Sequence, residues 1–271
     1  MAAFRVVTIN ILIDLSRWQQ RRALLAKQLA ALQPDLVALQ EVNIPEENAS
    51  WLAEQLTQLI PGARYAVSLC PKTGPESRVE AIAVLSRLPV EKEDWLDLGS
   101  QNRVAQLVRF QSGGNSVGLV NCHLFWQPGE SGERTRQVQR IQQWLEDRPS
   151  QMPLLICGDF NATPETRAIA ELQAHYNSAY ALAHGQEPEY TCPTPLPRSW
   201  KAGLRTLLGF FLYLRPGHLN PNWRGTLDYI FLNPRLRVLD CQVVLNQPAQ
   251  QDPRLYPSDH FGLSATLEIV D

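Results

Sequence analysis

The 271-residue chain predicts an α/β protein in which two β-sheets pack face to face with helices outside. Three observations carry this expectation. Strand-like and helix-like runs alternate from residue 4 to residue 59. A series of short strand-like runs separated by turn residues follows up to residue 122. Helix then returns around 133–145 and strands close the chain.

Phe4–Ile9 is a continuous apolar run of strand length. In Arg17–Leu32, apolar Leu25, Leu29 and Leu32 recur at spacings of four and three with charges between, and the pattern stops before Pro34, as a helix does. Leu36–Gln40 predicts a buried strand, and Glu46–Leu59 a helix ended by Pro61-Gly62. Arg64–Leu69, Ala81–Ser86, Val90–Leu98, Val104–Phe110 and Val117–Cys122 predict short strands, with Gly113-Gly114-Asn115 as a hairpin turn. Glu133–Leu145 predicts a helix and Leu154–Cys157 a strand. Thr163-Pro164-Glu165 predicts a helix start, with Thr163 as N-cap. Leu227–Leu232, Arg237–Leu245 and Gly262–Ile269 complete the strands.

A hydrophobic content of 44% is that of a chain with a full core, and a formal charge of −2 excludes a strongly basic nucleic-acid binder. A nuclease stays open, because a metal site brings its own positive charge. The five cysteines, Cys70, Cys122, Cys157, Cys192 and Cys241, are odd in number and form no Cys-x-x-Cys, so reduced thiols and a cytoplasmic location are expected. The chain enters a strand at Phe4 without a basic-then-apolar leader, and no apolar run reaches the length of about 20 residues needed to span a bilayer. Between Thr191 and Leu227 there is no acidic residue. Arg198, Lys201, Arg205, Arg215 and Arg224 alternate there with Trp200, Phe210, Phe211, Tyr213 and Trp223, which marks 192–224 as a basic-aromatic insertion.

Four segments end apolar strands or loops in polar groups: Thr8-Ile9-Asn10, Leu39-Gln40-Glu41, Gly158-Asp159-Phe160-Asn161 and Ser258-Asp259-His260. Polar groups at the ends of buried strands are costly unless they converge on a site. Asp159 and Asn161 share one side of an extended backbone, although the same residues also suit a turn. Glu41 is a carboxylate next to a buried strand, and Asn10 would also serve as a strand cap. His260 can move protons near neutral pH and needs an orienting carboxylate, for which Asp228 in Leu227-Asp228-Tyr229-Ile230-Phe231 is the candidate. His123 follows an apolar strand and could pair with Glu80. Arg103 precedes one and could clamp a phosphate. Because these residues run from position 10 to position 260, the chain is expected to be a single domain over 1–271.

Seven segments in order resemble the endonuclease/exonuclease/phosphatase superfamily, the deoxyribonuclease-I-like fold group, over essentially the whole chain. They are Thr8-Ile9-Asn10; Leu39-Gln40-Glu41; Glu80 before Ala81–Arg87; Asn121-Cys122-His123-Leu124; Gly158–Asn161; Leu227–Phe231; and Ser258-Asp259-His260. The resemblance implies a four-layer α/β/β/α sandwich of two packed mixed sheets. It implies Mg²⁺ or Mn²⁺ at Glu41, with Asn10 and Asp259 nearby. It implies that Asp159 and Asn161 orient the attacking water and the phosphoryl group. His260 with Asp228 would be general base or transition-state stabiliser, and His123 with Glu80 would protonate the leaving oxygen. The chain departs from the abasic-site endonucleases in carrying His123 where they have a tyrosine segment. Glu133-Arg134-Thr135-Arg136-Gln137 resembles the Arg-x-x-Gln helix start of sphingomyelinase- and deadenylase-like members.

The expected function is that of a metal-dependent phosphoesterase acting on a phosphodiester or phosphomonoester by in-line attack of water, with nucleic acid or nucleotide as substrate. The alternative is a phospholipid, sphingolipid or inositol-phosphate headgroup esterase touching a membrane through the apolar stretch at 204–215. A catalytically inactive binding scaffold is the remote third reading.

Overall fold

The computed structural model describes residues 3–149, 151–193 and 224–270. Apart from its two ends, the 192–224 insertion, with the expected membrane contact at 204–215, lies outside the described residues. Two six-stranded sheets form the centre. The first contains β1 (Ala3–Asn10), β2 (Leu36–Asn43), β3 (Ala66–Pro71), β4 (Glu80–Ser86), β11 (Leu236–Val244) and β12 (Gly262–Ile269), in the order β11-β12-β1-β2-β4-β3. The second contains β5 (Val90–Asp97), β6 (Val104–Ser112), β7 (Asn115–His123), β8 (Leu154–Asp159), β9 (Asn177–Ser178) and β10 (Asp228–Leu232), in the order β5-β6-β7-β8-β10-β9. Both are mixed: β1 runs parallel to β2 and β7 to β8, while the remaining pairs are antiparallel.

Helices α1 (Trp18–Leu32) and α2 (Asn48–Leu59) cover the outer face of the first sheet, where Leu25, Leu29, Leu52 and Leu56 meet Val7, Ile9, Val37 and Leu39. Helices α3 (Gly132–Glu146) and α4 (Arg167–Gln173) cover the second, where Val138, Ile141, Ile169 and Leu172 meet Leu107, Val120 and Ile156. A short α5 (Ala179–His184) follows β9. Helix α4 begins three residues after the expected start: Thr166 N–H donates to the Thr163 carbonyl at 3.0 Å, so Thr163 opens a tight turn and the helix grows from Thr166. The expected hairpin turn is present as Gly113-Gly114, both with positive φ (57° and 84°), which a two-residue turn between right-twisted strands requires.

Strand alternation decides which residues enter the space between the sheets. Phe4 and Val6, Leu36 and Ala38, Val84, Val117 and Leu119, Leu155 and Cys157, and Ile230 and Leu232 form that inner core. Continuing the same parity to one end of each strand reaches Asn10, Glu80, His123, Asp159 and Asp228. Since β4 and β10 run opposite to β2 and β8, their N-terminal residues come to the end where β1, β7 and β8 finish.

Gly158 makes this possible in β8. Its φ is +138°, and a Cβ there would lie 1.9 Å from the backbone carbonyl oxygen of Cys122 on β7. Gly158→Ala is therefore expected to lower stability by about 3 kcal/mol, read as a shifted urea midpoint at unchanged m-value; an unaltered midpoint would show that β7 and β8 can part without cost.

Candidate active site

The site lies at this polar end of the sandwich. On the second sheet, His123, Asp159 and Asp228 stand on one rung, since Asp159 pairs with His123 across the β7–β8 ladder and with Asp228 across β8–β10. Two carboxylates directly opposite on one face repel unless something neutralises them. Part of the answer is His260, whose Nδ1–H donates to Asp228 Oδ2 at 2.9 Å and whose Nε2 lies 3.8 Å from Asp159 Oδ2. Burial works against charge on His260, but the fields of Asp228, Cys192 and Asp159 outweigh it and hold the imidazole well above its ordinary pKa. Asp159 is pushed up to about 7, first by burial and then by Asp228, against the opposing pull of His260 and the hydrogen bonds from Asn10 and the Asn161 backbone.

The first sheet contributes Asn10 and Glu41. Asn10 Nδ2 donates to Glu41 Oε1 and to Asp159 Oδ2, both at 3.0 Å, and so joins the sheets. Its Oδ1 accepts from Leu12 N–H at 3.0 Å, and Glu41 Oε2 accepts from Ile13 N–H at 2.8 Å. By strand parity Glu41 would face the helices. A bulge between Leu39 and Val42, with Glu41 itself at φ +58°, turns it to the inner side instead. The bulge is held from the opposite sheet: Asn121 Nδ2 donates to the carbonyls of Leu39 and Ala83, and Gln40 Nε2 donates to Asn121 Oδ1 at 2.8 Å. Burial, and next the charge of Asp259, raise the Glu41 carboxyl above the ordinary carboxylate range. Ser258 Oγ donates to the Asn10 carbonyl at 2.6 Å and so fixes the turn that carries Asp259 and His260.

His123 is oriented differently from the expectation. Glu80 Oε1 is 3.9 Å from His123 Nδ1, beyond a hydrogen bond, and Arg103 stands between them. Arg103 Nη1 donates to His123 Nδ1 at 2.6 Å and to Glu80 Oε1 at 3.2 Å, while Glu80 Oε2 accepts from Lys72 Nζ at 2.9 Å. A guanidinium supplies the donor that a carboxylate cannot, so the buried Arg103 is the direct neighbour of the imidazole. Burial, then Arg103, Lys72 and His260, hold His123 well below its ordinary pKa. With Nδ1 accepting, its proton sits on Nε2, 3.5 Å from Asp159 Oδ2. Asn161, at φ +51°, donates its backbone N–H to Asp159 Oδ1 at 2.8 Å and its amide to the Leu124 carbonyl at 3.2 Å.

Among the described residues, Asp159, Asp228 and His260 form one cluster of potential ligand atoms within 4.8 Å of one another. Arg21 and Thr191 are supporting residues that sequence reasoning did not single out, and Asn121 was given no role of its own. Asn121 had a signal, a polar residue of inner parity inside an apolar strand. Arg21 had none: it occupies a helix but buries its guanidinium against the carbonyls of Ile11 at 2.9 Å and Pro257 at 3.2 Å, tying the loop after β1 to the loop before β12. The five cysteines are free. No helix among the described residues is long and apolar enough to cross a membrane.

Paired six-stranded sheets flanked by helices, with carboxylates, an amide and two imidazoles at one end, define the deoxyribonuclease-like class of α/β sandwich. The chain belongs to the Endonuclease/Exonuclease/phosphatase family, whose family model matches residues 7–260. It is 24% identical over 292 residues to 2′,5′-phosphodiesterase 12 of Mus musculus, covering 92% of this chain and 46% of that protein. It is 25% identical over 288 residues to Nocturnin of Homo sapiens, covering 96% of this chain and 60% of that protein. The chain thus spans about half the length of these curated relatives. The fold is shared with D. rerio TDP2, solved in complex with a single-strand DNA product, at a TM-score of 0.75 and 19% identity over 99% of this chain and 100% of that one.

Proposed function

We propose that this chain is a divalent-metal-dependent phosphodiesterase of nuclease type, cleaving its substrate by in-line attack of water. One observation carries the reading: Asp159 sits at the meeting point of Asn10, His123 and the Asp228–His260 pair, which come from four other places in the chain. The donor set suits a hard cation. Glu41 and Asp259 are carboxylates close enough for one to raise the other, and Mg²⁺ or Mn²⁺ at Glu41, Asp259 and the flanking Asn10 would relieve that repulsion. Such an ion supplies charge for the phosphoryl oxygens and a more acidic water.

The residues then divide the work. Asp159, with Asn161 beside it, orients the water and is placed to receive its proton. His260, kept charged by Asp228, faces the phosphoryl group as a fixed positive charge. His123 presents Nε2–H as a donor to the leaving oxygen. With Nη1 committed to Glu80 and His123, we assign Arg103 to the imidazole rather than to a phosphate. The seven family-like segments all carry their polar residues, which favours an enzyme over an inactive scaffold. We also read the chain as one domain, because its first and last strands, β1 and β12, pair with each other. Five free thiols agree with a reducing, cytoplasmic setting.

For the substrate, a 2′,5′-phosphodiesterase and a protein holding a single-strand DNA product among the relatives favour nucleic acid or nucleotide over a lipid headgroup. The test is an assay of single-stranded DNA, RNA and 2′,5′-linked oligonucleotides against sphingomyelin and phosphoinositide vesicles, with Mg²⁺, with Mn²⁺ and with EDTA. Oligonucleotide cleavage abolished by EDTA is expected. Cleavage of lipid alone, or of nothing, would refute the assignment.

A further inference from the structure

We propose that Thr191 is a positioning residue for the Asp228–His260 pair, because its hydroxyl sets which carboxylate oxygen meets the imidazole; this rests on the role given above to His260. Thr191 is fully buried, and its hydroxyl spends its whole hydrogen-bonding capacity on the adjacent residues Leu227 and Asp228. Its hydroxyl donates to Asp228 Oδ2 at 2.6 Å and accepts from the backbone N–H groups of Leu227 at 3.0 Å and Asp228 at 3.1 Å. The oxygen that receives the Thr191 hydroxyl is the one that receives His260 Nδ1–H.

The other carboxylate oxygen, Asp228 Oδ1, is buried without a hydrogen-bond partner among the described residues. Among the described residues, no hydrogen bond on that side holds the carboxylate against rotation about its last bond. Thr191 therefore supplies the restraint, by locking Oδ2 to the same backbone that carries Asp228. It also holds the far side of the imidazole's turn: the Thr191 carbonyl accepts from Phe261 N–H at 2.6 Å, one residue beyond His260. One residue thus holds Asp228 through its hydroxyl and, through its carbonyl, the residue that follows His260. A bare packing threonine would need neither the 2.6 Å hydroxyl contact nor the two incoming N–H groups.

The test compares Thr191→Ser, which keeps the hydroxyl, with Thr191→Val, which keeps the shape. Steady-state kinetics on bis(p-nitrophenyl) phosphate and the low-field proton resonance of His260 Nδ1–H in the metal-free protein are read on both. Thr191→Ser is expected to keep kcat and the resonance. Thr191→Val is expected to lose about 10- to 100-fold in kcat with KM little changed, and to shift or broaden the resonance. If Thr191→Val does not fold, Thr191→Cys, close to serine in size but a poor donor, replaces it in the comparison. Equal kcat and an equal resonance in the hydroxyl-bearing and hydroxyl-lacking variants would overturn the proposal, as would a serine variant as slow as the valine one. Because the resonance is read without turnover, a wild-type protein inactive on every phosphoester would end the functional reading while still leaving Thr191 to be judged.

Discussion

Asp159→Asn is expected to lower kcat on bis(p-nitrophenyl) phosphate by about 10³-fold and, in the same metal-free protein, to make stability less dependent on pH. The loss follows from removing the one carboxylate among the described residues that both touches Asn10 and faces both imidazoles. The stability effect follows from linkage. In the folded protein the Asp159 carboxyl is raised from 3.8 to about 7, with burial the main cause, so the folded state holds this proton more tightly than the unfolded chain does. Its contribution to stability is greatest at acid pH and declines as the pH rises toward and through 7. Asparagine never ionises and escapes that decline. It does forfeit the bond from Asn10 Nδ2, since its own amide N–H cannot accept one, at a cost of about 1 kcal/mol. The variant should be the less stable protein below about pH 4 and the more stable one near pH 8. Parallel Tm profiles for the two proteins would show that burying the Asp159 carboxylate, with Asp228 opposite it, costs nothing.

Glu41→Ala is expected to lose roughly 10³- to 10⁴-fold in kcat/KM, the scale of several kcal/mol of metal-derived transition-state stabilisation. Part of the loss should return at high Mn²⁺, because Asp259 and Asn10 are left in place. The carboxylate reaches the site only through the bulge in β2, so Asn121→Ala should act in the same direction and more weakly: it removes the amide that satisfies the Leu39 and Ala83 carbonyls without touching a ligand. Isothermal titration with Mg²⁺ or Mn²⁺ separates the two, with binding weakened far more in Glu41→Ala than in Asn121→Ala. Turnover by Glu41→Ala equal to wild type would remove Glu41 from the chemistry.

Much of the candidate site was legible because it obeys local rules. Asn10, His123, Asp159 and Asp228 each mark the end of an apolar run, and period-two alternation carries them to the inner face without any knowledge of neighbouring strands. Helix α4 shows where such reading slips: a Thr-Pro-Glu start looks the same whether it opens the helix or a turn just before it, and the carbonyl of Thr163 settled the matter by accepting from Thr166. The short β9 and α5 left no periodic signal, being two and six residues long.

The sequence by itself determined the order of strands and helices, the polar groups at the strand ends and the family those groups define, since each depends on residues close together along the chain. Tertiary structure alone decided the inward turn of Glu41, the wedge of Arg103 between Glu80 and His123, and the grip of Thr191 on Asp228. Gln40 and Asn121, which brace the Glu41 bulge, are 81 positions apart, and Thr191 and Asp228 are 37 apart. No periodicity in a single strand records a partner that distant. Such contacts are fixed only when burial brings unsatisfied donors and acceptors from different strands together and leaves them no water to bond instead.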